Sequence, residues 1–132
     1  MAVKIAQVRI AVAEDEPDIR TTFVKLLEHL GHTVVCAVSN GAELLDQCSG
    51  KQVNLVFVDL DMPVMDGLAA AQELAEKGIL VVLVSGHPDA EEMVLEHEPV
   101  VLRVLKPATL ERLQSAIEQA LHDDNEAPRR PK

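Results

Sequence analysis

The chain has 132 residues, and 48% of them are apolar, which suits one compact domain with a sizeable core. Its formal charge of −10 argues against non-specific nucleic-acid binding, because that binding needs a basic surface. The apolar runs are too short to span a bilayer and the first residues do not resemble a signal peptide, so we expect a cytoplasmic protein that is not bound to a membrane.

Strand and helix signals alternate along the chain. Short apolar runs predict strands over residues 8–13, 33–38, 55–58, 79–84 and 100–105. Apolar residues at helical spacing predict helices over residues 18–30, 41–48, 67–77, 89–97 and 110–121. Because the strands are nearly continuous apolar runs, they should be buried on both faces. The sequence therefore predicts a single doubly wound α/β domain with a five-stranded parallel sheet and helices on either side.

The composition of the last residues differs from that of the rest of the chain. The segment HDDNEAPRRPK has no large apolar side chain that could join a core. We therefore expect the domain to occupy residues 1–122. Residues 123–132 should form a flexible tail or the start of a linker.

Cysteine and histidine patterns argue against several kinds of metal site. Cys36 and Cys48 do not form a CxxC pair, and the five histidines lack ligand spacing with one another. Zinc and copper sites are therefore not expected. We predict that the two cysteines act as small core or near-surface hydrophobic side chains rather than as a disulfide framework.

Polar residues follow four of the predicted strands. These residues are Glu14, Asp15, Asp59, Asp61, Ser85 and Lys106. Ligands of an open parallel sheet bind outside the carboxyl ends of its strands. If the first and third strands are neighbours, Glu14, Asp15 and Asp59 should share a pocket flanked by Ser85 and Lys106. Three close carboxylates repel one another, and Mg²⁺, which prefers oxygen ligands, would relieve that repulsion.

A magnesium ion beside a lysine and a hydroxyl suits a phosphoryl group, since phosphoryl transfer depends on charge neutralisation and positioning. The chain has neither a GxxxxGK[ST] loop nor a GxGxxG motif, so the site is not built to hold a nucleotide. A carboxylate can itself be the acceptor, because aspartate side chains form aspartyl-phosphates. The pattern thus favours an aspartyl-phosphate site.

The chain resembles the receiver domains of bacterial two-component response regulators, the CheY-like superfamily, over roughly residues 8–121. The residues that carry the resemblance are Glu14-Asp15, Asp59 in DLDMPVMDG, Ser85-Gly86 and Lys106-Pro107. Each of these motifs stands at the end of its own predicted strand. The resemblance implies the strand order 2-1-3-4-5 and a flavodoxin-like three-layer sandwich.

The resemblance also implies roles for the phosphoryl site. Asp59 would accept a phosphoryl group from a histidine kinase or a phosphotransfer protein. Ser85 would hydrogen-bond to that group, and Lys106 would pair with its oxygens. The chain would then be no enzyme in the usual sense, but a phosphoacceptor that assists its own phosphorylation and dephosphorylation.

A Mg²⁺ site is implied in the same way. Asp15 and Asp59, with the backbone carbonyl of Asp61, would hold the ion. Glu14 would act mainly through a metal-bound water.

Phosphorylation, which adds charge and strong acceptors at one point, would then shift the domain between two conformers that it already samples.

The resemblance implies a downstream protein partner or output domain, and no direct contact with nucleic acid. Its binding surface, and that of a homodimer, would combine the predicted helix 89–97, the fifth strand and the last helix. Many receivers have an aromatic residue on the fifth strand where this chain has Arg103. Because a guanidinium does not cheaply enter an apolar slot, we expect Arg103 to stay outside, near Glu96 or Glu98, on a partner-binding face.

Two other functions compete with this interpretation. A pseudo-receiver would keep the fold and bind partners without taking phosphate, which Arg103 favours and the intact Asp59, Ser85 and Lys106 oppose. An enzyme on a flavodoxin-like fold is disfavoured, because the chain lacks a phosphate-binding glycine loop and aromatic residues to stack on a flavin.

Overall fold

Strands and helices alternate in the computed structural model, which describes residues 8–59, 66–85, 102–105 and 109–126. The strands are β1 (Arg9–Ala13), β2 (Thr33–Val38), β3 (Leu55–Asp59), β4 (Leu80–Ser85) and β5 (Leu102–Leu105). The helices are α1 (Pro17–His29), α2 (Gly41–Cys48), α3 (Asp66–Glu76) and α4 (Leu110–Glu126). Each corresponds to a predicted element. The helix predicted over residues 89–97 lies outside the described residues.

The five strands form one parallel sheet in the order β2-β1-β3-β4-β5. This order confirms the predicted fold class. It also makes β1 and β3 neighbours, with Ala13 paired to Val58 near their carboxyl ends. Residues that directly follow these two strands are therefore brought to the same edge of the sheet.

Two apolar cores cover the two faces of the sheet. One core joins the sheet to α2 and α3, and it includes Ala11, Val56, Leu83, Leu44 and Leu74. The other joins the sheet to α1 and α4, and it includes Ile10, Phe57, Val82, Leu27 and Ile117. Successive residues of a strand thus enter opposite cores, as the pleat of a strand requires. The predicted three-layer arrangement is confirmed.

Capping side chains fix where two of the described helices begin, α2 and α4. Pro17 occupies the first turn of α1. Asn40 Oδ1 accepts a hydrogen bond from the Glu43 backbone N–H at 2.8 Å, and Thr109 Oγ1 accepts one from the Arg112 N–H at 3.2 Å. The Glu43 carboxylate reaches back to the Ser39 N–H at 3.0 Å, one residue earlier than in a capping box. The backbone and hydroxyl hydrogen bonds from Ser39 lower the pKa of Glu43.

Strand β2 contains a register shift that the sequence pattern does not predict. Ile10 pairs with Val34, but the next residue of β1, Ala11, pairs with Cys36. Val35 is therefore an extra residue in β2, a β-bulge. As a result Val35 and Cys36, although consecutive, both pack against the core that contains α2.

Helix α4 continues to Glu126 and so passes the domain boundary predicted at residue 122. The apolar pattern ends at Leu121, but an established helix gains a backbone hydrogen bond with each further residue, so elongation needs no further core contact. Within the parts of the chain described above, no helix is both long and apolar enough to cross a bilayer.

Candidate functional site

Hydrogen bonds on several sides hold Glu14 just beyond the end of β1. Its backbone N–H donates to the Val38 carbonyl of β2 at 2.9 Å. Its carbonyl accepts from Arg20 Nη1 at 2.9 Å, and its Oε2 accepts from the Glu16 N–H at 3.1 Å. These hydrogen bonds attach the turn between β1 and α1 to β2 on one side and to α1 on the other. They therefore fix the position of the Glu14 carboxylate.

Asp59 is the last residue of β3, the middle strand of the sheet. Its backbone pairs with Val84 of β4. Only 3% of Asp59 is exposed to solvent, and only 1% of Glu14. Ionisable side chains are almost never buried so far unless other groups satisfy them. Two such carboxylates therefore lie together at one edge of the sheet.

The carboxylates of Glu14, Asp15 and Asp59 form one cluster. One oxygen from each lies within 4.8 Å of the oxygens from the other two. Negative charges at this separation repel one another. A ligand set made only of carboxylate oxygens suits a hard divalent cation such as Mg²⁺ and does not suit zinc or copper. The residues present therefore fit the cation that the sequence predicts.

The structure describes only part of the predicted phosphoryl site. It brings Glu14, Asp15 and Asp59 together. The backbone of Ser85 ends β4 and pairs with Leu105, the last residue of β5. The Ser85 side chain, Asp61 and Lys106 lie outside the described residues, and so does the side chain of Arg103 on β5.

Arg20 is part of the site's support, and sequence reasoning missed it. Its guanidinium donates to the Glu14 carbonyl from the first turns of α1, which ties the helix to the end of β1. It also contributes a positive charge that helps to lower the pKa of Glu43, after the hydrogen bonds from Ser39. An arginine on an amphipathic helix usually faces solvent, so the sequence carries no signal for this contact.

Comparison with known proteins agrees with the geometry. The chain matches the response regulator receiver domain family over residues 10–118. It is 34% identical over 115 residues to the tetrathionate response regulatory protein TtrR of Salmonella typhimurium. That alignment covers 85% of this chain and 55% of TtrR. The transcriptional regulatory protein PdtaR of Mycobacterium tuberculosis is 30% identical over 115 residues, covering 86% of this chain and 56% of PdtaR. The chain spans about half the length of these curated relatives.

Solved structures share the fold. The receiver domain of a modulated diguanylate cyclase from Desulfovibrio desulfuricans superposes with a TM-score of 0.81 at 22% identity, covering 91% of this chain and 98% of that one. A CheY-like receiver domain protein from Methanospirillum hungatei gives 0.79 at 21% identity, covering 93% and 100%. The family match, the relatives and the acidic cluster at the carboxyl edge of the sheet agree: this chain belongs to the response regulator receiver domains of two-component systems.

Proposed function

We propose that this chain is a phosphorylation-switched receiver in which the Asp59 carboxylate accepts a phosphoryl group. The single observation that supports this most directly is the position of Asp59. It ends the middle strand with 3% of its surface exposed, and its oxygen lies within 4.8 Å of carboxylate oxygens from Glu14 and Asp15. In this proposal Asp59 is the nucleophile, and its acidic neighbours hold the cation that neutralises charge during phosphoryl transfer.

The metal in this proposal is Mg²⁺. Asp15 and Asp59 would hold it, with the backbone carbonyl of Asp61, and Glu14 would act through a coordinated water. When bound, the ion neutralises the carboxylates and the charge on the transferred phosphoryl group. Glu14 is suited to its part because the Glu16 N–H and the backbone contacts fix its orientation in advance.

In the transfer step, an oxygen of Asp59 attacks the phosphorus of a phosphohistidine on a histidine kinase or phosphotransfer protein. The P–N bond breaks, the imidazole nitrogen keeps the electron pair, and an acyl phosphate remains on Asp59. The Ser85 hydroxyl then hydrogen-bonds to a phosphoryl oxygen, and the Lys106 ammonium pairs with another. Water later hydrolyses the acyl phosphate, so the chain acts as a phosphoacceptor rather than as an enzyme that turns over a separate substrate.

The output of this switch is a change in partner binding. The phosphoryl group adds negative charge and strong hydrogen-bond acceptors, which shifts the population toward the conformer that Ser85 and Lys106 can stabilise. The partner is a downstream protein or an output domain, which suits a chain that spans about half the length of TtrR and PdtaR. We place the protein in the cytoplasm, because two free cysteines suit a reducing compartment.

Intact-mass spectrometry after incubation with Mg²⁺ and acetyl phosphate tests the proposal. We expect one added phosphoryl group in the wild type, none in Asp59→Asn, and none when EDTA replaces Mg²⁺. Asp46→Asn is the matched control, because it removes an exposed carboxylate from α2 and should leave phosphorylation unchanged.

If only a kinase can phosphorylate the protein, acetyl phosphate will add no mass. Beryllofluoride binding is therefore measured in the same samples. Beryllofluoride mimics the phosphoryl group and needs the same carboxylate and cation. Failure of both reactions in a folded wild-type protein would overturn the proposal in favour of a pseudo-receiver. Phosphorylation that persists in Asp59→Asn would place the acceptor elsewhere.

A further inference from the structure

The two cysteines pack into the same core although they lie on different elements. Cys36 lies on β2, and Cys48 is the last residue of α2. Both belong to the core between the sheet and α2 with α3. The bulge at Val35 is what gives Cys36 this orientation. Without the extra residue, the alternation of the strand would place Cys36 and Val35 on opposite faces of the sheet.

The two thiols differ in environment. Cys48 is 7% exposed and Cys36 is partly exposed, so a small solute reaches Cys36 first. A hydrogen bond from the Cys48 thiol and the charge of Lys51 outweigh burial and lower the pKa of Cys36 to about 7. The same hydrogen bond and burial raise the pKa of Cys48. Cys36 therefore has thiolate character at neutral pH, and Cys48 is the more deeply buried, protonated thiol of the same core.

We propose that Cys36 and Cys48 form a redox-responsive thiol pair that a hydroperoxide oxidises to an intramolecular disulfide joining β2 to α2. An accessible thiolate beside a second, protected thiol is the arrangement that favours reversible oxidation over further oxidation of a lone cysteine. Such transient disulfides are the kind found in reducing compartments. The pair is separate from the acidic cluster, and this inference does not depend on phosphorylation.

The chemistry balances in two steps. The Cys36 thiolate attacks one oxygen of the peroxide, the O–O bond breaks, and the leaving hydroxide takes up a proton to become water. Cys36 is then a sulfenic acid. The Cys48 sulfur attacks the Cys36 sulfur, the S–O bond breaks, and the departing hydroxyl leaves as water with the Cys48 proton. Overall, two thiols are oxidised to one disulfide and one peroxide is reduced to two waters.

The experiment treats the reduced 132-residue chain with hydrogen peroxide at neutral pH, then adds N-ethylmaleimide and measures intact mass. We expect the wild type to lose both alkylatable thiols together and to become lighter by two hydrogens, with reversal by dithiothreitol. In Cys48→Ser, dimedone should trap a sulfenic acid on Cys36. In Cys36→Ser, Cys48 should remain an unoxidised thiol under the same exposure.

The disulfide should also change thermal stability. Closing the short loop between β2 and the end of α2 should raise the wild-type Tm by roughly 5–10 °C, and the rise should vanish in either serine variant. A wild type that keeps both alkylatable thiols in excess peroxide, or that forms disulfides only between molecules, would overturn the proposal.

A second measurement on the wild type covers the case in which a serine variant does not fold. Limiting iodoacetamide is added across a range of pH, and the labelled peptide is identified by mass. Cys36 should be labelled first, with a rate that rises at a lower pH than for a free cysteine. Equal labelling of the two residues, or labelling of Cys48 first, contradicts the proposed roles.

Discussion

The side-chain oxygens of Glu14 and Asp59 come within 4.8 Å of each other at the ends of adjacent parallel strands, although both side chains are almost fully buried. With no cation present, this arrangement brings together two negative charges where water can screen them only poorly. A divalent ion held by these carboxylates would offset the repulsion between them. Stability measurements that do not involve phosphate can therefore test whether the cluster binds a cation.

Magnesium should stabilise the wild type and should do little for Asp59→Asn. With a dissociation constant near 1 mM, about 10 mM Mg²⁺ would raise the free energy of unfolding by about 1.4 kcal/mol. Asp59→Asn should lose most of that increment, and in EDTA it should be more stable than the wild type because one repelling charge is gone. Urea unfolding in Mg²⁺ and in EDTA measures both effects. Asp46→Asn should keep the full increment, and an equal increment in Asp59→Asn would contradict a site at Asp59.

Asn54 joins the starts of three strands, and its loss should be costly. Its Oδ1 accepts from the Arg9 N–H at 2.9 Å, its N–H donates to the Arg9 carbonyl at 2.8 Å, and its carbonyl accepts from the Leu80 N–H at 3.1 Å. Asn54→Ala removes the first of these bonds and leaves the Arg9 N–H poorly satisfied. We expect a loss of about 1–2 kcal/mol in the free energy of unfolding.

Gln52→Ala is the matched control for Asn54→Ala. Gln52 is exposed, and its contact with Arg9 Nε uses the backbone carbonyl, which the substitution retains. Chemical denaturation should therefore show a clearly larger loss in the free energy of unfolding for Asn54→Ala than for Gln52→Ala. Equal stability losses would mean that the Asn54 side chain contributes nothing specific.

Stability should depend on an acceptor side chain at Asn40, the residue that caps α2. Asn40→Ala removes the acceptor of the Glu43 N–H bond and should cost about 1 kcal/mol of stability. Asn40→Asp keeps an acceptor and adds a negative charge at a helix N-terminus, so it should be close to neutral. Thermal unfolding compares the two, and an alanine variant as stable as the aspartate variant would contradict this account.

Stability should fall as the pH drops below about 6.5, and His32 should account for part of the fall. The Val8 N–H donates to His32 Nδ1 at 3.1 Å, which a protonated ring could not accept, and burial lowers the pKa of His32. The unfolded chain therefore binds the proton more readily than the folded one. The stabilisation is complete above the unfolded pKa and is lost as the pH falls toward the folded one.

Unfolding at pH 7.5 and pH 5.5 measures this dependence. His32→Gln should be less stable than the wild type at the higher pH and should lose less on acidification. His29→Gln removes an exposed histidine at the end of α1 and should keep the wild-type dependence. An unchanged pH dependence in His32→Gln would assign the effect to other groups.

Much of the fold follows from the sequence because its signals are local. The unbroken apolar run from Leu55 to Val58 indicates a strand buried on both faces, and Asn40 and Thr109 begin helices through their own side chains. The order of the strands does not follow from such local signals, because a run that is apolar throughout does not specify which strands lie beside it. That order came from the family resemblance, and the expectation that Glu14 and Asp59 meet depended on it.

Features that depend on distant contacts were not predictable from local pattern. The bulge at Val35 arises from how β2 pairs with β1, and the residues of Thr33–Val38 read as an ordinary strand. Arg20 supports Glu14 only because α1 packs next to the end of β1. The cysteines were correctly predicted to be core or near-surface residues, but their place in the same core depends on the bulge and could not be anticipated.

The bulge also bears on how the protein behaves at high concentration. Strand β2 lies at one edge of the sheet, and it presents a run of apolar residues that are only partly buried. A flat edge of this kind is a template on which a strand from another molecule can add. An extra residue in the middle of β2 increases the local twist and interrupts the regular spacing of its outward N–H and C=O groups. The irregularity that turns Cys36 toward the core beneath α2 should thus also protect the sheet against aggregation through that edge.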